Sequence, residues 1–367
     1  MGRKLILAFF IVCWFEVPAQ ESDSTHTSLF DKAEVCFNSG MIMPHSPAID
    51  LVTNQYISSF NINILKTMDG DKLWEKLYHR PDLGIGYYQG SLGNSRIYGN
   101  AYALCGFFEA PIWNIRDKVA FHYRMSTGLS YISKTFNTKD NLYNIAIGSH
   151  LNLHFNLLIN MLLNITEKNQ IAGGLSFTHF SNGKIKSPNK GLNIMHGSIG
   201  FRHNFGTSSH PEKKFTRPTL NDKNHFSLIW SHGLKDHTRF RDATYYISSL
   251  SASYERQYAH VGKAGIGLDG FYNTSLVNYQ SNSGNTRLSN PNLYRLGLHL
   301  SHDIIAGDFS LTLQLGRYLY NKAFFITEFY NRVGLKYYTE NHWILNLSLK
   351  SHNANAAFIE CGIGYLW

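Results

Sequence analysis

The chain has 367 residues, with 34 Lys and Arg against 25 Asp and Glu and a formal net charge of +9. Hydrophobic residues make up 43% of the chain and charged residues only 16%, a composition that excludes an intrinsically disordered protein. After residue 20 no run of about 20 apolar residues occurs, so the sequence also excludes a helical membrane protein.

The first nineteen residues have the pattern of a secretory signal peptide. Arg3 and Lys4 precede an apolar segment, and Ala19 supplies a small residue at the expected cleavage point. The apolar segment is too short for a spanning helix. We therefore expect cleavage near Ala19 and an exported chain over residues 20–367. In an exported chain the positive charge favours an anionic lipid surface over nucleic acid as the partner.

Alternation of apolar and polar residues dominates the rest of the chain. From Tyr143 to Ile165 the odd positions are mostly apolar, and many even positions are Asn or His. Only a β-strand places successive side chains on opposite faces. Similar segments begin near residues 34, 53, 82, 97, 118, 143, 170, 192, 225, 243, 262, 293, 308, 329, 342 and 355. The sequence thus predicts an all-β protein of about sixteen strands.

The strand pattern indicates a transmembrane antiparallel up-and-down β-barrel of about 14–16 strands. Its apolar faces carry large residues suited to lipid, aromatic residues reach 14%, and the chain ends on Trp367 in an alternating segment, as outer-membrane barrels do. A large secreted β-sandwich is the alternative. We expect one barrel domain in the bacterial outer membrane, with long connections at 67–81 and 206–223 that fit the pattern least well.

Three polar residues converge on the apolar face near one end of this predicted barrel. His179 and Ser181 lie two residues apart in one strand, and Asn193 begins the same face of the next strand. A serine hydroxyl becomes a useful nucleophile when a base accepts its proton, and an asparagine can orient that base. The pattern therefore predicts a Ser-His-Asn esterase site on the outer surface of the barrel.

The turn after Ser181 offers donors for an oxyanion. They are the backbone N–H groups of Asn182 and Gly183 and the side-chain amides of Asn182 and Asn189. The remaining histidines and cysteines show no spacing typical of zinc. The sequence predicts no metal and no cofactor.

The motif His-x-Ser-Asn at a strand end, followed by Pro-Asn-x-Gly, resembles the lipid A 3-O-deacylase family of acyloxyacyl hydrolase-like outer-membrane barrels. The resemblance implies that His179 and Ser181 are catalytic, and that Asn182 and Asn189 match the asparagines of the family, the second linked to the oxyanion hole. The glutamate that orients the histidine in this family falls at Asn193. Possible substitutes for that glutamate are Glu109, Glu255 and Glu360.

The same spacing also resembles outer-membrane phospholipase A, whose third triad member is an asparagine at the position of Asn193. That family binds calcium through an acidic loop residue, and the equivalent position here is Lys186. With Lys184 and Lys190, Lys186 makes the loop basic, which disfavours Ca²⁺ and suits the phosphates of lipid A.

The resemblance favours an outer-membrane esterase that removes an ester-linked 3-hydroxyacyl chain from lipid A or lipopolysaccharide. The alternatives are a phospholipase A and a non-enzymatic barrel, either a pore or an adhesin. The oligomeric state stays open.

Overall fold

The computed structural model describes residues 29–53, 56–115, 118–206, 215–238, 241–276, 293–322, 327–353 and 355–367. The predicted signal peptide, residues 1–19, lies outside the described residues. In the described part of the chain no helix is long and apolar enough to cross a membrane.

Eight antiparallel strands form a first closed barrel, because the last strand pairs with the first. The strands are β1 (Lys32–Ile42), β2 (Ile57–Thr67), β3 (Asp82–Ser91), β4 (Asn100–Ile115), β5 (Val119–Ile132), β6 (Leu151–Asn164), β7 (Asn169–Ser181) and β8 (Leu192–Asn204). Two short helices lie in its loops, α1 (Pro47–Asp50) and α2 (Leu73–Leu77).

A second set of eight antiparallel strands closes separately through pairing of its last strand with its first. The strands are β9 (Asn224–Thr238), β10 (Arg241–Ala259), β11 (Gly262–Asn273), β12 (Tyr294–Ala306), β13 (Phe309–Tyr320), β14 (Phe329–Tyr338), β15 (Trp343–His352) and β16 (Asn355–Leu366).

The sixteen described strands thus form two barrels, whereas the sequence led us to expect a single barrel over 20–367. The all-β, antiparallel barrel class is confirmed. The number of barrels could not be read from the alternation, because a strand in a barrel of eight and one in a barrel of sixteen carry the same inward and outward pattern. The connection at 206–223, which fitted a single barrel poorly, follows the last strand of the first barrel and precedes the first strand of the second, and its residues 207–214 lie outside the described residues.

One predicted strand start is misplaced. The alternation from Tyr143 predicts a strand there, but β6 begins at Leu151. Residues 143–150 form a loop in which Ile147 is fully buried and the Asn144 amide donates to the carbonyl oxygens of Ile97 and Lys134. The segment therefore packs as a loop against the barrel end, and its apolar residues do not share one face as they would in a strand.

Outward faces are apolar and lumens are polar in both barrels, as the alternation predicts. Leu175 on β7 and Leu315 on β13 are at least 60% exposed, whereas Arg202 on β8 and Lys350 on β15 are each 1% exposed inside a lumen. The lumen of an eight-stranded barrel is just wide enough for its side chains to fill.

A buried ion network fills the middle of the first lumen. Arg202 donates to Glu34 at 2.6 Å and lies 2.8 Å from Glu109, and Arg124 bonds the same two carboxylates at 2.8 and 2.6 Å. Two guanidinium groups and two carboxylates thus neutralise each other away from water, which a buried charge requires.

An apolar cluster closes the first lumen at the end where β7 ends and β8 begins, here called the site end. Phe180 from β7, Leu192 from β8 and Ile147 from the preceding loop are fully buried in this cluster. From the lumen side, the cluster supports the ends of β7 and β8, whose outer faces carry the predicted catalytic residues.

We expect replacement of Arg202 by Met to destabilise the first barrel by about 3–5 kcal/mol, because Glu34 and Glu109 would keep their charge and lose a partner. The measurement is the temperature at which the compact form on an unheated SDS gel converts to the unfolded form. Arg317→Met, at a 62% exposed side chain on β13, is the control, with an expected loss below about 1 kcal/mol. Equal melting of Arg202→Met and wild type would contradict a stabilising role of the network.

Candidate active site

His179 and Asn193 lie directly opposite each other on β7 and β8. The distance between His179 Nδ1 and Asn193 Oδ1 is 2.6 Å. An amide oxygen only accepts, so His179 Nδ1 carries the hydrogen and Nε2 keeps a free lone pair. This is the tautomer that a general base needs, and it follows from the register of two neighbouring strands.

Ser181 ends β7 on the same outward face as His179, but it is only 7% exposed. Its Oγ accepts hydrogen bonds from the Asn189 side-chain amide at 2.8 Å and from the Gly183 backbone N–H at 3.1 Å. No hydrogen bond between His179 and Ser181 occurs in the described structure. Catalytic hydrogen bonds are often long before substrate binds.

Asn182 holds the shape of the turn after Ser181. Its backbone N–H donates to Asn189 Oδ1 at 3.0 Å, which turns the Asn189 NH₂ group towards Ser181. Its side-chain amide donates to Ser149 Oγ and to the Lys186 carbonyl oxygen. Of the predicted oxyanion donors, the structure thus brings Gly183 N–H and the Asn189 amide to Ser181 and directs the Asn182 side chain elsewhere.

Gly191 contacts the edge of the His179 imidazole. Its φ is +77°, and a Cβ there would lie 2.7 Å from His179 Cε1 and 3.2 Å from Nε2. Glycine adopts this backbone conformation without strain, and because it has no side chain, the imidazole of His179 has room at this position.

His45 is a site residue that the sequence analysis missed. Its Nδ1 lies 3.3 Å from Asn193 Nδ2, and its Nε2 lies 3.0 Å from the Lys190 carbonyl oxygen. The carbonyl requires a hydrogen on Nε2, so Nδ1 accepts from the Asn193 amide. His45 therefore fixes which end of the Asn193 amide faces His179. Its distance along the chain, 148 residues from Asn193, left no local signal.

The three predicted lysines differ in exposure. Lys190 is exposed, whereas Lys184 and Lys186 are half-buried. Burial, and then repulsion from Lys190, lowers the pKa of the Lys184 ammonium. A lowered pKa means that the charged form of Lys184 is disfavoured in this environment unless an anion binds next to the ammonium group.

The second barrel holds the turn and loop of residues 182–191, here called the catalytic loop. Asp236 near the end of β9 accepts from the Ser187 backbone N–H at 3.0 Å and donates its own N–H to the Lys184 carbonyl oxygen at 3.0 Å. Gly183, with φ +60°, lies so close to Ile359 of β16 that a Cβ would overlap it. The site therefore lies where the first barrel meets the second.

The three glutamates considered as substitutes for the family glutamate lie inside the lumens. Glu109 pairs with Arg124 and Arg202, Glu255 with Lys263 and Lys336, and Glu360 with Arg332. None of their hydrogen bonds or ion pairs within the described ranges involves His179, and Asn193 lies at the position that orients the imidazole. Within the described ranges, no group of three or more His, Cys, Asp or Glu side chains could hold a metal ion.

The fold and the position of these polar groups on an apolar outer surface define an outer-membrane β-barrel with an esterase-like site. Two family models match the chain: lipid A 3-O-deacylase (PagL) over residues 59–202, and acyloxyacyl hydrolase, C-terminal domain, over residues 224–367. The predicted resemblance to the lipid A 3-O-deacylase family is thereby confirmed, with one family-model match in each barrel.

Several solved structures are similar to the chain. Neisserial surface protein A has 10% identity and a TM-score of 0.34, over 47% of this chain and 96% of that one. The outer membrane enzyme PagL has 17% identity and a TM-score of 0.30, over 46% and 98%. A Rhodopseudomonas blastica porin mutant has 9% identity and a TM-score of 0.18, over 92% and 99%. Such low scores support no argument about this chain. No curated protein matches it.

We expect Gly191→Ala to lower ester hydrolysis at least about tenfold, because the new methyl group would displace the His179 imidazole. The measurement is kcat for a chromogenic acyl ester in detergent micelles. Gly173→Ala on β7, the strand of His179, is the control, since its Cβ would meet only the Ser198 carbonyl oxygen at 3.9 Å. Unchanged kcat in a folded Gly191→Ala variant would remove His179 from the reaction.

Proposed function

We propose that this protein is an outer-membrane esterase that removes an ester-linked 3-hydroxyacyl chain from lipid A. The observation that carries the proposal is the Ser181 hydroxyl, which accepts from two N–H donors and lies two residues from an imidazole whose tautomer Asn193 sets. The match of residues 59–202 to the lipid A 3-O-deacylase family model supports the substrate class.

In this proposal Ser181 Oγ attacks the acyl carbonyl carbon while His179 Nε2 takes its proton. Collapse of the tetrahedral intermediate breaks the bond to the sugar oxygen, which receives that proton from His179. A water molecule, deprotonated by His179, then hydrolyses the acyl-enzyme and releases the 3-hydroxy fatty acid. Asn193 holds the imidazole throughout, and the reaction needs no cofactor.

The Gly183 N–H and the Asn189 NH₂ group are the proposed oxyanion donors. Both already point at Ser181 Oγ, and the negative oxygen develops beside this atom. Asn182 supports them by fixing the Asn189 amide. The donors belong to the catalytic loop, so the second barrel, which holds that loop through Asp236, contributes to catalysis by position.

Lys184, Lys186 and Lys190 would face the phosphorylated headgroup of the substrate. All three belong to the catalytic loop, and ammonium groups bind phosphate as point charges. The site lies on the outer wall of the barrel, so lipid can enter it sideways from the leaflet. We propose that the site end faces the outer leaflet and that the signal peptide is removed near Ala19.

Phospholipase A is the second candidate. The observation that favours it is the asparagine at the third triad position, which bonds His179 directly. Lys186 at the position of the acidic calcium ligand speaks against it. A pore or adhesin would leave the arrangement of Ser181, His179 and Asn193 without a purpose.

We expect Ser181→Ala to lower the release of 3-hydroxy fatty acids by about 10³-fold or more, because the nucleophile is lost. The measurement is mass spectrometry of the fatty acids that purified protein releases from mixed micelles of lipopolysaccharide and phospholipid. Ser198→Ala on β8, whose hydroxyl bonds only the Gly174 carbonyl oxygen, serves as the control.

Release of only unhydroxylated fatty acids by the wild type would replace the deacylase with the phospholipase. Equal release by wild type and Ser181→Ala would remove the serine mechanism altogether.

We expect His45→Phe to lower kcat about three- to tenfold and to leave KM nearly unchanged, because the Asn193 amide would lose the partner that orients it. His45→Gln should restore most of the rate, since its amide oxygen can accept from Asn193 Nδ2. The measurement is steady-state hydrolysis of the same lipopolysaccharide micelles. If Gln and Phe at position 45 were equally impaired, His45 would contribute only to packing.

A further inference from the structure

Basic side chains gather inside the second barrel at the end where Asp236 contacts the catalytic loop, here called its mouth. β9 and β15 end there and β12 begins there. Lys235 on β9, Arg295 on β12 and Lys350 on β15 all point into the lumen and are 6%, 3% and 1% exposed. His352 ends β15 at the same level.

The phenol oxygen of Tyr318 joins three of these groups. It lies 2.7 Å from Lys350 Nζ, 3.4 Å from Arg295 Nη1 and 2.9 Å from His352 Nε2. Since the two cations donate to the oxygen, its single hydrogen is directed to His352, which therefore accepts as a neutral imidazole. A neutral hydroxyl arranges these groups but compensates none of their charge.

Much of the hydrogen-bonding capacity of this cluster is unused. Arg295 Nε and Nη2 are buried and have no hydrogen-bond partner among the described residues. For the Lys235 ammonium, no hydrogen bond or ion pair is found within the described ranges. Lys184, from the catalytic loop of the first barrel, is close enough to repel Lys235 and His352 electrostatically. Unpaired buried cations are costly, so their presence indicates a missing anion.

The carboxylates nearby do not balance this charge. Asp269 and Glu360 both pair with Arg332, at 3.2 and 2.6 Å. They are also the acidic groups that act on Lys350. Asp236, next to Lys235 in sequence, lies on the outward face of β9 and accepts from Ser187 in the catalytic loop. Among the described side chains, two lumen carboxylates thus face four basic groups, those of Arg332, Lys235, Arg295 and Lys350.

We propose that the mouth of the second barrel binds a phosphate group between Lys184, Lys235 and Arg295. The free Nε and Nη2 of Arg295 suit two phosphate oxygens at once, and the two ammonium groups add point charges. The ligand class is a phosphate monoester, carried by a lipid headgroup or free in solution.

The choice between these two sources rests on the proposed function. The geometry favours the headgroup of the lipid substrate as the source of the phosphate. Lys184 lies three residues after Ser181, and its carbonyl oxygen bonds the backbone N–H of Asp236, the neighbour of Lys235. One phosphorylated glycolipid can therefore place its ester at Ser181 and its phosphate at the mouth. The second barrel then acts as a receptor for the headgroup of the lipid that the first barrel hydrolyses.

The first test measures binding without catalysis. The full chain in detergent is melted with inorganic phosphate or with chloride at equal ionic strength. We expect phosphate to raise the Tm of the wild type in a saturable way and to have no such effect on Arg295→Gln. Without phosphate, Arg295→Gln should melt at or above the wild-type temperature, because it removes an unpaired buried charge.

Arg317→Gln is the matched control, because this arginine on β13 is exposed and already paired with Glu328. It should keep the full response to phosphate. An equal response to phosphate in wild type and Arg295→Gln, or no response in either, would overturn the phosphate site.

A second test identifies the source of the phosphate. Hydrolysis is compared on lipid A and on lipid A freed of its phosphates, as the ratio of kcat/KM. We expect the wild type to prefer the phosphorylated lipid at least about tenfold and Arg295→Gln to lose most of this preference.

A wild-type thermal response to phosphate without this preference assigns the site to free phosphate and overturns the headgroup assignment. If the wild type hydrolysed neither lipid but still responded thermally to phosphate, the proposed function would be wrong and the phosphate site would stand.

Discussion

Closure of each sheet on itself is the constraint on which the rest of the structure depends. In a membrane every backbone N–H and C=O must find a partner within the protein, and an open sheet edge leaves a row of them unpaired. β8 meets this requirement by pairing with β1, and β16 does so by pairing with β9. The chain thereby forms two narrow barrels, and their outer walls come together at the catalytic loop.

The narrow barrels explain both the buried charges and the position of the site. An eight-stranded lumen has no room for a channel, so its inward polar residues must neutralise each other, as Arg202, Arg124, Glu34 and Glu109 do in the first barrel. The proposed hydrolysis of a lipid therefore takes place at the outer wall of the barrel, because the lumen has no room for it. There, His179 and Asn193 face each other across two strands, and the polar catalytic loop is shielded by β9 and β16.

The second barrel differs from the first in its charge balance. The network in the first lumen is neutral, whereas the mouth of the second combines Lys235, Arg295 and Lys350 with fewer carboxylates. Both arrangements use inward-facing positions of an eight-stranded barrel. In the proposed function this difference is a division of labour, in which one barrel carries the nucleophile and the other a place for an anion.

Alternation in the sequence determined the strand class, the start of most strands and the shared face of His179, Ser181 and Asn193, because side-chain direction in a strand follows from position alone. Three features depended on tertiary structure. The strands that close each sheet are chosen by pairing between distant segments. Residues 143–150 alternate in sequence but pack as a loop on the barrel end, so the local pattern predicted a strand where tertiary packing gives a loop. His45, Asp236 and Ile359 reach the site only through folding, since contacts between residues far apart along the chain leave no periodicity in it.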